Sequence, residues 1–246
     1  MVEPLVDAVG VLGALDELFP DTPPDDWEPY RERYPEQFHR DEWRLWVMCF
    51  LVRAGGSTVV ADTGAGPPGF WEGWEPEREK GLLPALAGHG VQPGDVDVVF
   101  LTHVHVDHVG WNAHPDGRPV FENARYLLHA DALAAARERT DRPHVGHSIL
   151  GLGDRVETVA DGDEIAPGVR VLALPGHDDG HSGLEVRDSA VIVGDAMPHP
   201  VHLDHPERTF AFDEDDEQAA ETRRRLLREF GDRILYSSHL REGWRR

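Results

Sequence analysis

The chain is short of cysteine, of long apolar runs and of positive charge. Its one cysteine, Cys49, allows no intrachain disulfide. That suits a reducing compartment. Cys49 lies in the strand-like run Trp46–Val52 and reads as a small buried hydrophobe. No stretch approaches the roughly 18 consecutive apolar residues of a membrane span. Glu3 and Asp7 interrupt any apolar core near the N-terminus. The expectation is a cytoplasmic chain without a signal peptide or membrane anchor. Basic residues number 24 against 46 acidic ones, a formal charge of -22. Such a surface repels phosphates, which excludes nucleic acid and anionic membranes as partners.

What is present is ordinary for a globular protein. Hydrophobic residues make up 40% and charged residues 28% of 246 positions. That length suits one domain spanning 1–246. The partner it implies is a small-molecule substrate, with a homodimer possible.

The chemistry concentrates in Leu101–Gly110, Leu-Thr-His-Val-His-Val-Asp-His-Val-Gly. The apolar run Val98-Val99-Phe100-Leu101 leads into it and reads as a strand buried on both faces, with burial beginning after Asp97. In an extended segment His103 and His105 point to the same side. They can approach one metal ion. Asp107 and His108 lie beyond the strand, where a turn offers them to a second ion. Imidazole with carboxylate suits Zn²⁺, and also Fe or Mn.

Residues 15–45 are dense in Pro, Asp, Glu, Arg and aromatics, which predicts an irregular excursion with short helical pieces near the site. Strand-like runs at 46–53 and 57–62 flank the turn Gly55-Gly56. Phe70, Trp71 and Trp74 occupy a loop and suit either a pocket or an interface. Residues 81–90 read as a short helix and 124–130 as a strand. Asp131 is the expected cap of a helix over 132–139. Residues 140–153 read as a loop whose His144 and His147 lie on the surface. A hairpin joins 183–187 to 190–194 through Asp188-Ser189. Pro198–Pro206 reads as an irregular loop. Residues 213–230 form a helix capped by Asp213 or an acidic neighbour, with Arg223, Arg224, Arg225 and Arg228 on a solvated face. Residues 233–239 form a last strand.

The stretch Thr-His-x-His-x-Asp-His resembles the signature of the metallo-β-lactamase-fold hydrolases, and other motifs of that family recur in order. These are Asp62-Thr63-Gly64, Pro175-Gly176-His177-Asp178-Asp179-Gly180-His181, Gly194-Asp195 and Ser238-His239. The resemblance implies an α/β fold, an αββα four-layer sandwich of the metallo-β-lactamase type. It implies a first metal held by His103, His105 and His177. A second is held by Asp107, His108 and His239, and Asp195 bridges. Asp62 supports this centre by hydrogen bonds, and His181 is a packing neighbour. The implied reaction is hydrolysis of an ester, lactone or thioester through a metal-activated hydroxide, with two Zn²⁺ and with Asp107 as the catalytic acid–base group. Only seven residues follow His239, and the compact form resembles the lactonase and esterase branch. Pro198 stands where those lactonases often carry Tyr, and Asp178 stands where Thr is usual. The alternatives are a phosphotriester hydrolase, or an iron-dependent oxidoreductase or dioxygenase on the same ligands.

Overall fold

The protein is described by a computed structural model, which covers residues 1–79, 81–187 and 189–244. Asp188 of the expected hairpin turn lies outside the described residues. The first sheet holds β1 (Val2–Ala14), β2 (Phe38–His39), β3 (Glu42–Ala54), β4 (Ser57–Ala61), β5 (Arg78–Glu79), β6 (Val98–Leu101), β7 (Arg125–His129) and β8 (Val156–Val159). Its order is β5-β1-β3-β4-β6-β7-β8, with β2 beside β3. The second sheet holds β9 (Glu164–Ala166), β10 (Val169–Ala173), β11 (Ser182–Val186), β12 (Ala190–Gly194) and β13 (Ile234–Ser237), in the order β13-β12-β11-β10-β9.

Alternation along the strands sets the layers. Met48, Phe50 and Val52 of β3 face the second sheet and pack with Val171, Leu184 and Ile192. Cys49 and Leu51 face the other way, toward α3 (Leu82–Gly88), α4 (Ala130–Glu138) and α5 (Pro143–Ser148). In β6, Val98 and Phe100 join the inner layer while Val99 and Leu101 join the outer one, so the run is buried on both faces. Asp97 stays outside the strand and accepts a bond from Thr58 N at 2.8 Å. The outer face of the second sheet, Val191, Val193 and Leu235, is covered by Leu203 of α6 (Val201–Asp204) and Leu226 of α7 (Asp216–Phe230). The result is the helix–sheet–sheet–helix sandwich. Among the described residues no helix is long and apolar enough to cross a membrane.

Both sheets contain parallel pairs: β4–β6, β6–β7 and β7–β8 in one, β12–β13 in the other. Their carboxyl ends are where open α/β sheets build sites. The chain leaves β4 at Asp62, β6 at Thr102, β12 at Asp195 and β13 at Ser238. All four belong to the motifs.

Several local expectations are corrected. Residues 140–153 are not a plain loop: they form α5 and most of a 3-10 turn, Leu150–Arg155. The cap of α4 is His129, whose Nδ1 accepts from Asp131 N, so Asp131 is the first-turn acid and not the cap. Residues 15–45 do hold the expected short helical pieces, α1 (Leu15–Leu18) and α2 (Glu28–Arg33), and depart from the expectation only where β3 begins at Glu42. Pro198–Pro206 carries α6 and buries His199 and His202 among Phe19, Trp27 and Trp43. On α7, Arg224 and Arg228 are solvated, but Arg223 is fully buried.

Asp7 of β1 ties three segments together. It accepts bonds from Leu82 N (2.6 Å), Ala65 N (2.8 Å) and Trp111 Nε1 (2.9 Å). Burial lifts its carboxyl from 3.8 to about 6, against the opposing pull of the bonds from Trp111, Ala65 and Leu82. The folded chain thus holds this proton more tightly than the unfolded chain. The stability owed to that proton is full below about pH 4 and is lost as pH rises through 6, a change of about 3 kcal/mol. Asp7→Ala leaves three buried donors bare and lowers stability at both ends of that range. Urea titrations at pH 4 and pH 7 check the sign: the deficit of the variant is larger at pH 4 by about 2 kcal/mol. An equal deficit at both pH values contradicts it.

Candidate metal centre

The loop after β6 turns sharply, with His108 N bonded to His105 O at 3.1 Å. The turn carries four side chains toward the gap between the two sheets. His177 arrives from the loop after β10. Gly176 makes that approach possible: it adopts φ +123°, and a Cβ there would lie 2.2 Å from Ala219 N of α7. Gly180, at φ +66°, packs equally close, with its missing Cβ 2.2 Å from Ala132 N.

Two groups result. In the first, one ligand-type atom from each of His103, His105, His177 and Asp195 lies within 4.8 Å of all the others. The same limit holds in the second for Asp107, His108 and His239. Asp195 stands between them. Its Oδ2 is 2.9 Å from His239 Nε2, 3.5 Å from His177 Nε2 and 3.9 Å from His103 Nε2. Its Oδ1 is 3.4 Å from His108 Nε2. Asp107 Oδ2 is 3.7 Å from both His108 Nε2 and His239 Nε2. All seven residues named from the sequence thus meet in one place.

The imidazoles are aimed by their other nitrogens. His108 Nδ1 donates to Asp62 (2.8 Å), His177 Nδ1 to Asp213 (3.0 Å) and His239 Nδ1 to the Trp46 carbonyl (2.9 Å). The Thr102 hydroxyl donates to Asp62 and lies 3.0 Å from His103 Nδ1. His105 is turned the other way, with Nδ1 3.2 Å from His177 Nε2. Ring nitrogens held this way fix the tautomer that leaves a lone pair for a metal. Asp62 itself sits at φ +55°, an uncommon left-handed conformation for a non-glycine residue.

Three of the seven residues' buried ligand atoms make no hydrogen bond: His103 Nε2, His108 Nε2 and Asp195 Oδ1. Buried polar groups are nearly always paired. All three point inward, and a pair of divalent cations satisfies all of them, so the residues present fit such ions.

Burial, with the neighbouring His108 and His105, pushes the His103 imidazole well below its ordinary value. Burial and His177 do the same to His105. At His108 and His239 burial opposes the charge, but Asp195 and other carboxylates outweigh it and raise both. Burial likewise opposes charge on Asp195, and His239 with His108 outweighs it and holds the carboxyl well below the usual range.

His181 does not join the two groups. Its Nε2 accepts from Asp195 N at 3.0 Å and its Nδ1 meets the Leu174 carbonyl at 3.0 Å, so it fixes the turn that presents Asp195. Burial holds its imidazole at about 3. The Asp178 carboxylate is paired with Arg139, which also reaches Asp179 and Glu214.

Sequence reasoning missed Asp213 and Arg223. Asp213 had the signature of a helix cap, but Asp215 caps α7 by accepting from Gln218 N. Asp213 instead turns inward, one oxygen on His177 and the other on Arg223. Arg223 is fixed by the carbonyls of Ala196 and Arg208, both at 2.9 Å.

A cavity of about 340 Å³ opens onto the centre. Leu12, Trp43, Leu45, Trp71, Phe210 and Phe212 give it an apolar wall. Trp71 therefore lines the pocket, while Trp74 stacks on Trp71 with centroids 4.6 Å apart and bonds the Val11 carbonyl. His144 also lines the pocket and is half-buried, not a surface histidine.

A family model of the metallo-beta-lactamase superfamily matches residues 45–239. Human metallo-beta-lactamase domain-containing protein 1 is 30% identical over 192 residues, covering 78% of this chain and 56% of that protein. An N-acyl homoserine lactonase of Bacillus thuringiensis is 26% identical over 158 residues, 56% of this chain and 57% of the relative. The chain thus spans little more than half the length of the curated relatives it matches. Among solved structures, AidC, a dizinc quorum-quenching lactonase, superimposes with a TM-score of 0.82 at 19% identity, over 97% of this chain and 87% of its own. At that identity the likeness is one of fold.

Asp213→Asn turns an amide N–H toward Arg223 or removes the acceptor from His177. It is expected to weaken zinc retention by about 10- to 100-fold. Chelator competition measures this, and unchanged retention contradicts the role of Asp213 in aiming His177.

Proposed function

The chain belongs to the metallo-beta-lactamase superfamily, and on that premise we propose that it is a hydrolase dependent on two divalent metal ions, cutting an ester, lactone or thioester bond of a small molecule. The observation that carries this is the convergence of seven ligand-type side chains on Asp195, with three of their buried inward atoms left without partners. His103, His105 and His177 would hold the first ion, Asp107, His108 and His239 the second, and Asp195, between the two groups, could serve both. Zinc suits the imidazole and carboxylate set, and iron or manganese would also be accepted. When bound, such ions supply a water acidified toward neutrality and an electrophile for the substrate oxygen.

The chain's own residues do the rest. Asp107 borders the pocket, where it orients the attacking water and passes a proton to the leaving group. The apolar wall keeps bulk water out and strengthens every charge interaction inside. His181 keeps the Asp195 turn in place. A lactonase relative in Bacillus and the dizinc neighbour support the lactone or ester reading. The same reading takes residues 1–246 as one cytoplasmic domain, with the 15–45 excursion beside the site and a homodimer as its possible assembly.

Proton release by the zinc-loaded protein tests it, on an acyl-homoserine lactone, an aryl ester, an acyl thioester and a phosphotriester. Acid release on one of the first three, lost by about 100-fold or more in Asp107→Ala, is expected. No release on any of them with metal fully bound, or oxygen consumption with bound iron, overturns the proposal.

A further inference from the structure

Among the described residues, the pocket over the centre is polar in only two places. One is the inner rim, made of side chains from the centre itself. The other is the segment entering α5, which contributes Arg142 and His144.

Arg142 differs from the other arginines near the site. Arg139, three residues earlier, is clamped by Asp178, Asp179 and Glu214. Arg223 is buried against Asp213. Arg142 is half-buried at the pocket wall, and among the described residues its guanidinium makes no hydrogen bond or ion pair. The chain has 46 acidic side chains against 24 basic ones, so an acidic partner was available in composition but is not placed there. Burial, reinforced by Arg142, pushes the neighbouring His144 imidazole below its ordinary value, which disfavours a second positive charge on this wall.

A guanidinium offers a planar fork of donors that matches a carboxylate, and beside an apolar surface that pairing is stronger than in open water. The remaining wall, Leu12, Leu45, Trp71, Phe210 and Phe212 among it, suits a hydrocarbon or aryl body. We propose that the substrate is an acyl compound with an apolar body and a carboxylate remote from the reacting bond, and that Arg142 selects it by pairing with that carboxylate. The reaction rests on the hydrolase reading above; the recognition of an apolar acid does not. In a chain of net charge -22, Arg142 gives an anion one local cation to pair with at the pocket wall.

Two uncleaved probes of equal chain length test the recognition: adipic acid monoanilide, which carries a carboxylate, and hexananilide, which does not. Trp43 and Trp71 line the pocket, so tryptophan fluorescence reports binding to the zinc-loaded protein. The acid is expected to bind about tenfold or more tightly than the neutral anilide. Arg142→Gln removes that preference and Arg142→Lys restores part of it. Arg137→Gln, at an exposed position on α4, removes the same charge and keeps the preference. No binding of the acid, or equal binding of both probes, overturns the proposal. So does a preference that survives Arg142→Gln and disappears with the metal, because it assigns the carboxylate to the ions. A kinetic arm separates the two readings, using mono-p-nitrophenyl adipate and p-nitrophenyl hexanoate. If Arg142 holds the acid probe but neither ester is cleaved, hydrolysis of such esters fails and the recognition stands. If both esters are cleaved and Arg142→Gln leaves the ratio of their KM values unmoved, the recognition fails and the hydrolase stands.

Discussion

The two sheets meet at the buried carboxylate of Asp62. It accepts from Thr102 N and the Thr102 hydroxyl at the end of β6, from His108 Nδ1 in the following loop, and from the Ser238 hydroxyl beyond β13. One side chain therefore sets the spacing between strand ends of the first sheet and the last strand of the second. The left-handed backbone at Asp62 puts the carboxylate where these donors converge. Removing it would leave four buried donors bare and would release His108. The rest of the proposed centre is built outward from that joint, since His103 is fixed through the same Thr102 hydroxyl.

The arrangement also solves an electrostatic problem. Asp107, Asp195, Asp62, Asp178 and Asp213 are all buried or nearly so within one region of an already acidic protein. Each has a local answer. Asp213 is met by Arg223, Asp178 by Arg139, Asp62 by four donors, and Asp107 and Asp195 by the imidazoles around them. In the proposed holo state the ions take over the last of these roles. This explains why Arg223, placed on a helix that looks solvated in sequence, is one of the most deeply buried side chains. Arg223 lies on the buried stripe of α7 with Ala219, Thr222 and Leu226, and Asp213 meets its charge there.

What was legible in the sequence follows from the range of each signal. β6 and β3 are continuous apolar runs, and alternation alone divides Cys49 and Leu51 from Met48, Phe50 and Val52. His103 and His105 could be paired from their spacing after β6, whereas His177, Asp195 and His239 could be named through the resemblance of their motifs to those of the family. The supporting residues could not. Asp213 is 36 positions from His177, and an acid just before a helix has an ordinary local explanation in capping. Arg223, the Trp46 carbonyl and the Thr102 hydroxyl act through contacts that no local period encodes. His144 looked like one more loop histidine until α5 carried it to the pocket wall. The capping of α4 by His129 escaped for a similar reason, because Asp131 is the commoner capping type.

Metal stoichiometry tests the central claim most directly. Protein freed of metal, reloaded with zinc and desalted should carry two ions per chain, and His239→Ala, which removes a group only from the second set, should carry one. Saturation of the wild type at one ion or none would contradict a two-ion centre spanned by Asp195.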